Sequence, residues 1–247
     1  LIGCGNMAGA HRRNFEAMER VRFVAAADPV EANVAKVVEE HGVEGFDDAE
    51  KMLDADLVDA VMIATPHTFH PPLAAASLRR GVHVLSEKPL GVTVAACREA
   101  LAVADKRPDL KFAVMYQYRA DPRWQHVKKL IDDGAIGELR RVVWTATNWF
   151  RTQAYYDSGG WRATWSGEGG GVLMNQCPHN LDMLACLTGL PARLEAKLGF
   201  GVHHQIEVED EALMVMDYAN GATGLFIAST GELPGEDRLV INGDRGR

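Results

Sequence analysis

"LIGCGNMAGAHRRNFEAME", residues 1–19, passes from a short apolar run into residues spaced as on an amphipathic helix. Between the two lies Gly3-x-Gly5-x-x-Ala8. "RFVAAAD" (22–28) then reads as a second buried strand that ends on an acid, Asp28. The same alternation continues: helix "EANVAKVVEEH", strand "VDAVMIAT", helix "PPLAAASLRRG" with proline near its start and glycine after its end, strand "VHVLSE", helix "TVAACREALAVADK", strand "KFAVMYQY". Continuous Val/Ile/Ala runs are what strands covered on both faces require. Strand-helix alternation of this kind predicts an open, doubly wound parallel sheet of Rossmann type.

In such a sheet ligands gather beyond the C-terminal ends of the strands. Asp28, Thr65, Glu87, Lys88 and Gln117 all follow predicted strand ends and are expected on one crevice. Gly3 and Gly5 permit a tight turn and close approach of backbone to a pyrophosphate, and Ala8 lets the helix sit near the strand. Helix N-terminal amides, including those of Asn6 and Met7, would hold the anion. Asp28 comes about 20 residues after the turn, where a ribose-binding acid is expected. Its charge favours NAD over NADP, whose additional phosphate it would repel. The competing reading is an ordinary glycine turn.

After Tyr118 the pattern changes. "PRWQHVKKLIDDGAIGE" is a helix that stops at Gly134 or Gly137, while "LRRVVWTATNW" and "EALMVMDYANGATGLFIAS" alternate apolar and polar residues, with "ANGA" as a hairpin turn. These features predict a second α/β domain with a large, mostly antiparallel open sheet, and a division into residues 1–120 and 121–247.

The chain has 247 residues, is 47% hydrophobic and 24% charged, and carries a net charge of −8, values of a globular protein with ample core. That charge disfavours a nucleic-acid backbone as partner, and no apolar run is long enough for a membrane span. Four cysteines without a Cys-x-x-Cys pair point to reduced thiols and a cytoplasmic location. The opening lacks a methionine and already lies within a strand, so the natural start is expected to be missing, together with any export signal. The end, "LVINGDRGR", reads as interrupted, which leaves the second domain incomplete.

Three stretches together resemble the glucose-fructose oxidoreductase / inositol dehydrogenase / MocA (Gfo/Idh/MocA) family: "GCGNMA", "EKP" at Glu87-Lys88-Pro89, and "GGGVLMNQCPHNLDML" from Gly169 to Leu184. "ATPHTFH" (64–70) and "WR" (161–162) are similar to it as well. The resemblance runs through the whole chain, although members normally continue further at the C-terminus. It implies a nucleotide-binding domain followed by an open-sheet domain, oxidation of a hydroxyl carbon on a sugar or polyol, and a homo-oligomer, dimer or tetramer. It further implies that Thr65, Pro66 and His70 line the cofactor, that Arg162 meets it, and that Glu87 positions Lys88 or contacts the nicotinamide side. Where the family pairs an Asp with a His four residues on, this chain has Asn175 and His179, a spacing that on a helix puts both on one face, with Asp182 a turn further, although Pro178 between them can kink or restart that helix.

Oxidising a carbinol carbon requires removal of the hydroxyl proton as charge builds on oxygen. His179 is the candidate base, Lys88 the candidate group for stabilising the alkoxide, and Asn175 a holder of a neighbouring hydroxyl or of the imidazole. An amide beside His179 leaves it less basic than a carboxylate would. Each residue has a plainer alternative: Lys88 a solvated strand cap, His179 a structural histidine, Asn175 a partner of the glycine turn. His67, His70, His203 and His204 have no acid or thiol at ligand spacing, so no metal is expected. The aromatic segment "NWFRTQAYYDSGGWRATW" suits either a sugar pocket or ordinary packing. Two other classes stay open: glycoside cleavage through transient oxidation on a bound NAD, and a non-enzymatic dinucleotide sensor.

Overall fold

Three consecutive alanines, Ala25–Ala27, form β1, and their short side chains let neighbouring elements close over both faces of the strand. Ala25 and Ala27 join one apolar cluster and Ala26 another. β1 pairs in parallel with β2 (Glu44–Phe46). A second parallel ladder joins β3 (Ala60–Ile63), β4 (His83–Ser86) and β5 (Phe112–Val114). The opening residues link the two groups: Ile2 bridges in parallel to both Ala27 and Ile63, with Ile2 N donating to the Met62 carbonyl at 2.8 Å. The order is therefore β2, β1, the opening segment, β3, β4, β5. It winds outward one way, returns, and winds outward the other way, which is the doubly wound arrangement expected from the sequence.

Five α-helices cover this sheet: α1 (Ala8–Glu16), α2 (Glu31–His41), α3 (Ala49–Asp54), α4 (His70–Arg79) and α5 (Val94–Asp105). Val61 and Ile63 of β3 belong to the cluster containing Ala74 and Leu78 of α4, while Met62 between them joins Ala8 of α1 on the other face. Burying each such aliphatic side chain stabilises the fold by about 1.5–3 kcal/mol. β2 and α3 were not expected from the sequence; "EGF" has no apolar pattern, and its strand pairs with β1 only.

The computed structural model describes residues Leu1–Arg247. They divide into two units, Leu1–Met115 and Tyr116–Arg247. The second holds α6 (Pro122–Asp132), β6 (Leu139–Ala146), α7 (Gln153–Asp157), α8 (Pro178–Thr188), β7 (Arg193–Phe200), β8 (Glu209–Asp217), β9 (Thr223–Ser229) and β10 (Asp237–Gly243). Its sheet runs β10-β6-β9-β8-β7, antiparallel except for the parallel pair β6–β9. Val142, Trp144, Met214 and Phe226 on the inner face meet Met183, Leu184 and Leu187 of α8, and Trp124 and Val127 of α6 pack alongside. On the other face Leu213 and Val215 are exposed.

The structure takes the restart that Pro178 allows. Asn175 and His179 do not share a continuous helix: Val172–Gln176 forms a single π turn, closed by the Cys177 N–H on the Val172 carbonyl at 2.8 Å, and α8 begins afresh at Pro178. Proline lacks the N–H that would carry the hydrogen-bond ladder through this point, so the chain restarts there.

Candidate functional site

In the first unit the predicted residues gather at the C-terminal edge of the parallel strands. Gly3 has φ +90°, and a Cβ there would lie 2.7 Å from the Ala64 carbonyl oxygen, so the fold itself requires glycine. Gly5 is different. It is exposed, its φ is not left-handed, and a Cβ built on it would meet no protein atom within 4 Å. The protein gives no internal reason for a glycine at this place; space for a close-approaching ligand supplies one. Asn6 and Met7 are likewise exposed, Ala8 is fully buried against Leu1 and Met62, and no side chain caps the N-terminus of α1. Open amides on a glycine turn, at the positive end of a helix dipole, fit a dinucleotide pyrophosphate.

Asp28 is 8% exposed and ties this turn to β1. Its Oδ2 accepts the Cys4 N–H at 2.8 Å, and its Oδ1 accepts the Val30 N–H at 2.9 Å and the Asn33 amide at 3.3 Å. Burial, reinforced by the Asp28 charge, pushes the Cys4 thiol up to about 11, so that sulfur stays protonated in the turn.

At the end of β4, Glu87 is buried and its Oε1 pairs with His11 Nε2 of α1 at 2.8 Å, while Oε2 accepts the Lys88 N–H at 3.1 Å. Burial alone would raise the pKa of Glu87. The hydrogen bond and charge of His11, together with the Lys88 N–H and charge, outweigh that and hold the carboxyl below its ordinary value. Glu87 thus joins the helix of the glycine turn to the backbone of the half-buried Lys88. Nothing in the sequence pattern singled out His11; it is reached only through the parallel sheet that sets α1 beside β4.

His70 is corrected in role. It is fully buried, with Nδ1 2.7 Å from the Pro89 carbonyl and Nε2 2.8 Å from the Thr65 carbonyl. Both ring nitrogens are committed to backbone, so His70 clamps the turn after β3 to the turn after Lys88 and presents no polar atom to a cofactor. Thr65 and Pro66, half-buried, remain on the rim.

Gln117, also predicted on this edge, falls in the second unit, in the turn Gln117–Ala120. Its Nε2 lies 3.4 Å from His179 Nε2. An amide nitrogen only donates, so Nε2 is the accepting nitrogen of the imidazole at this contact. His179, 8% exposed in the first turn of α8, is flanked by Tyr118 at 5.3 Å and by Tyr116 edge-on at 6.1 Å between ring centroids. Asp182, a turn further, is taken by Arg119 in a two-pronged ion pair of 2.7 and 2.8 Å.

Asn175 sits in the π turn, half-buried, and its amide nitrogen donates to Glu168 and to the Tyr155 hydroxyl, the latter at 3.3 Å. Arg162 donates to the same hydroxyl at 2.7 Å and lies over the Tyr155 ring at 4.6 Å. The "GGG" run owes its composition to packing here: a Cβ on Gly171 would fall 1.8 Å from the Glu209 carbonyl oxygen. The aromatic segment divides between both of its readings. Tyr155 joins the polar network, whereas Tyr156 packs with Ala163 and Val208 and donates to Thr230 at 3.0 Å. No group of three or more His, Cys, Asp or Glu is placed to hold a metal, and no helix is long and apolar enough to cross a membrane.

A parallel sheet with an open glycine turn, followed by a mixed open sheet, defines the class, and comparison with known families identifies it. The chain belongs to the Gfo/Idh/MocA family: residues 1–116 match the model for "Oxidoreductase family, NAD-binding Rossmann fold", and residues 124–247 that for "GFO/IDH/MocA C-terminal domain". The first unit is accordingly an NAD-binding Rossmann domain. Among individual relatives, the rhizopine catabolism protein MocA of Rhizobium meliloti is 31% identical over 76% of this chain and 56% of its own length. Levoglucosan dehydrogenase of Pseudarthrobacter phenanthrenivorans is 29% identical over 91% of this chain and 65% of its own. The chain thus spans less than two thirds of both relatives. The WlbA dehydrogenase from Bordetella pertussis, solved in complex with NADH and UDP-GlcNAcA, superposes with a TM-score of 0.91 at 28% identity, covering 98% of this chain and 75% of that one.

Proposed function

We propose that this chain is an NAD-dependent dehydrogenase that oxidises a hydroxyl carbon of a sugar or polyol, free or nucleotide-linked, and that it works as a homo-oligomer. The observation that carries the reading is the turn at Gly5, exposed and with no protein atom within 4 Å of a Cβ built there, in a chain whose residues 1–116 match an NAD-binding Rossmann fold. Bound NAD supplies the hydride acceptor. The chain's residues handle the rest. His179 takes the hydroxyl proton, the Lys88 ammonium stabilises the alkoxide and relays the proton, and Asn175 holds a neighbouring hydroxyl. Glu87, locked to His11 and to the Lys88 N–H, fixes the lysine backbone. Asp28 selects NAD over NADP through its negative charge. Relatives named as a levoglucosan dehydrogenase and a WlbA dehydrogenase bound to UDP-GlcNAcA support a carbohydrate substrate.

The test is a substrate deuterated at the carbon to be oxidised. Transfer of deuterium to the nicotinamide, with slowed single turnover, supports the reading; exchange of that deuterium into solvent without transfer contradicts it.

A further inference from the structure

The substitution of Asn175 for the acid expected from the family does not leave this neighbourhood without a carboxylate. Glu168 lies seven residues earlier, between Gly167 and Gly169, and is 1% exposed. Its Oε1 receives the Asn175 amide nitrogen, and its Oε2 receives the Ala163 N–H at 2.7 Å. A carboxylate can only accept while ionised, so it can face only the nitrogen side of an amide. The oxygen of Asn175 must then diverge from Glu168. The Tyr155 hydroxyl, to which Arg162 donates, accepts from the same amide nitrogen and is compatible with this orientation.

A second observation points to Glu168 as a built anchor. Ala163 adopts φ 56°, a left-handed conformation that costs a β-carbon-bearing residue about 1–2 kcal/mol. The turn is held by the same carboxylate, through the Ala163 N–H. One buried carboxyl group therefore ties together the turn after Arg162 and the side chain of Asn175.

We infer that Glu168 is a positioning residue: it sets Asn175 nitrogen-inward, so that this site offers substrate an amide oxygen as a neutral hydrogen-bond acceptor, with the buried Glu168 carboxyl group behind it. The inference rests on the dehydrogenase reading for its consequence, but the pairing itself is testable without turnover.

The experiment is a double-variant cycle on the full chain. Asn175→Asp sets two carboxylates against each other; its thermal midpoint falls relative to wild type, and falls further at pH 8 than at pH 5, because a shared proton is lost on the way up. The other ionisable groups of this region, Arg151, Tyr155, Tyr156, Arg162, His204, Glu209 and Asp210, are unchanged across the cycle. Combining Asn175→Asp with Glu168→Gln restores a donor between the two positions and recovers most of the midpoint and of its pH dependence. In turnover, Glu168→Gln alone lowers kcat by about 10–100-fold, as loss of a partner behind a reacting group does, with NADH affinity unchanged. Additive midpoints and an unaltered pH dependence overturn the inference, whatever the activity. Coupled midpoints in a protein that oxidises no sugar uphold the pairing and overturn the proposed function instead.

Discussion

Alanine at Gly3 and alanine at Gly5 are the same chemical change, two residues apart, and the structure assigns them opposite consequences. At Gly3 the backbone is left-handed, φ +90°, and the new Cβ would lie 2.7 Å from the Ala64 oxygen and 2.8 Å from its carbon. The conformation costs about 1–2 kcal/mol, and relieving the overlap by moving backbone costs about 1–3 kcal/mol more. For a chain of this size, each kcal/mol lowers Tm by about 2–4 °C, so Gly3→Ala should melt about 4–20 °C below wild type. At Gly5 the Cβ meets nothing within 4 Å, and Gly5→Ala should stay within about 1 kcal/mol of wild type. Its methyl group instead occupies the space we assign to the pyrophosphate. NADH should therefore bind at least about tenfold more weakly, a loss of about 1.4 kcal/mol. Melting curves read the first quantity, and titration of NADH fluorescence reads the second. Equal destabilisation by the two variants, or wild-type NADH affinity in Gly5→Ala, would refute the assignment.

Further outcomes follow from the partners of buried groups. Removing the imidazole in His11→Ala leaves the Glu87 carboxylate buried without its hydrogen-bond partner and should cost about 1–3 kcal/mol, read by urea denaturation. Because the folded-state pKa of Glu87 is held below its ordinary value, its share of stability is present above the ordinary carboxylate range and fades as pH falls through the lowered value. Glu87→Gln should flatten that acid limb in melts taken between about pH 5 and pH 2. Burial pushes the Tyr156 phenol up to about 12, so stability should drain away as pH rises from the ordinary tyrosine value, about 10, toward that figure. Tyr156→Phe should lose this share of the alkaline decline, and its lost bond to Thr230 should cost about 1 kcal/mol at neutral pH. NADH should bind more tightly than NADPH, and Asp28→Ala should narrow the gap; tighter NADPH binding by wild type would remove the selecting role of Asp28.

What the sequence disclosed follows from how local each signal is. Strands such as β3 declare themselves because covering both faces demands an unbroken apolar run, and the hairpin between β8 and β9 does so through alternation around "ANGA". β2 was hidden because three residues, Glu44, Gly45 and Phe46, carry no period. The spacing of Asn175 and His179 suggests one helix face and Pro178 a restart between them; the π turn before it is not legible, because the glycine loop there packs against Glu209, far along the chain. His11 is not legible because its partner, Glu87, lies far along the chain, and an isolated polar residue does not reveal its partner. Tyr155 and Glu168 lie only a few residues from Arg162 and Asn175, but sequence proximity does not say which polar groups a folded loop pairs. His70, read as a cofactor contact, is a clamp because two backbone carbonyls, 24 positions apart at Thr65 and Pro89, converge on its ring.

The most direct measurement of the account is turnover on a panel of polyols, aldoses and nucleotide-linked sugars with NAD, followed by the absorbance of reduced nicotinamide, for wild type, Lys88→Ala and His179→Ala. We predict net reduction with at least one class of substrate and losses of about 10²–10⁴-fold in each variant, with NADH titrations superimposable on wild type. Tight NADH binding without oxidation of any sugar, cleavage of a glycoside with no net reduced nicotinamide, or near-normal turnover in both variants would contradict it.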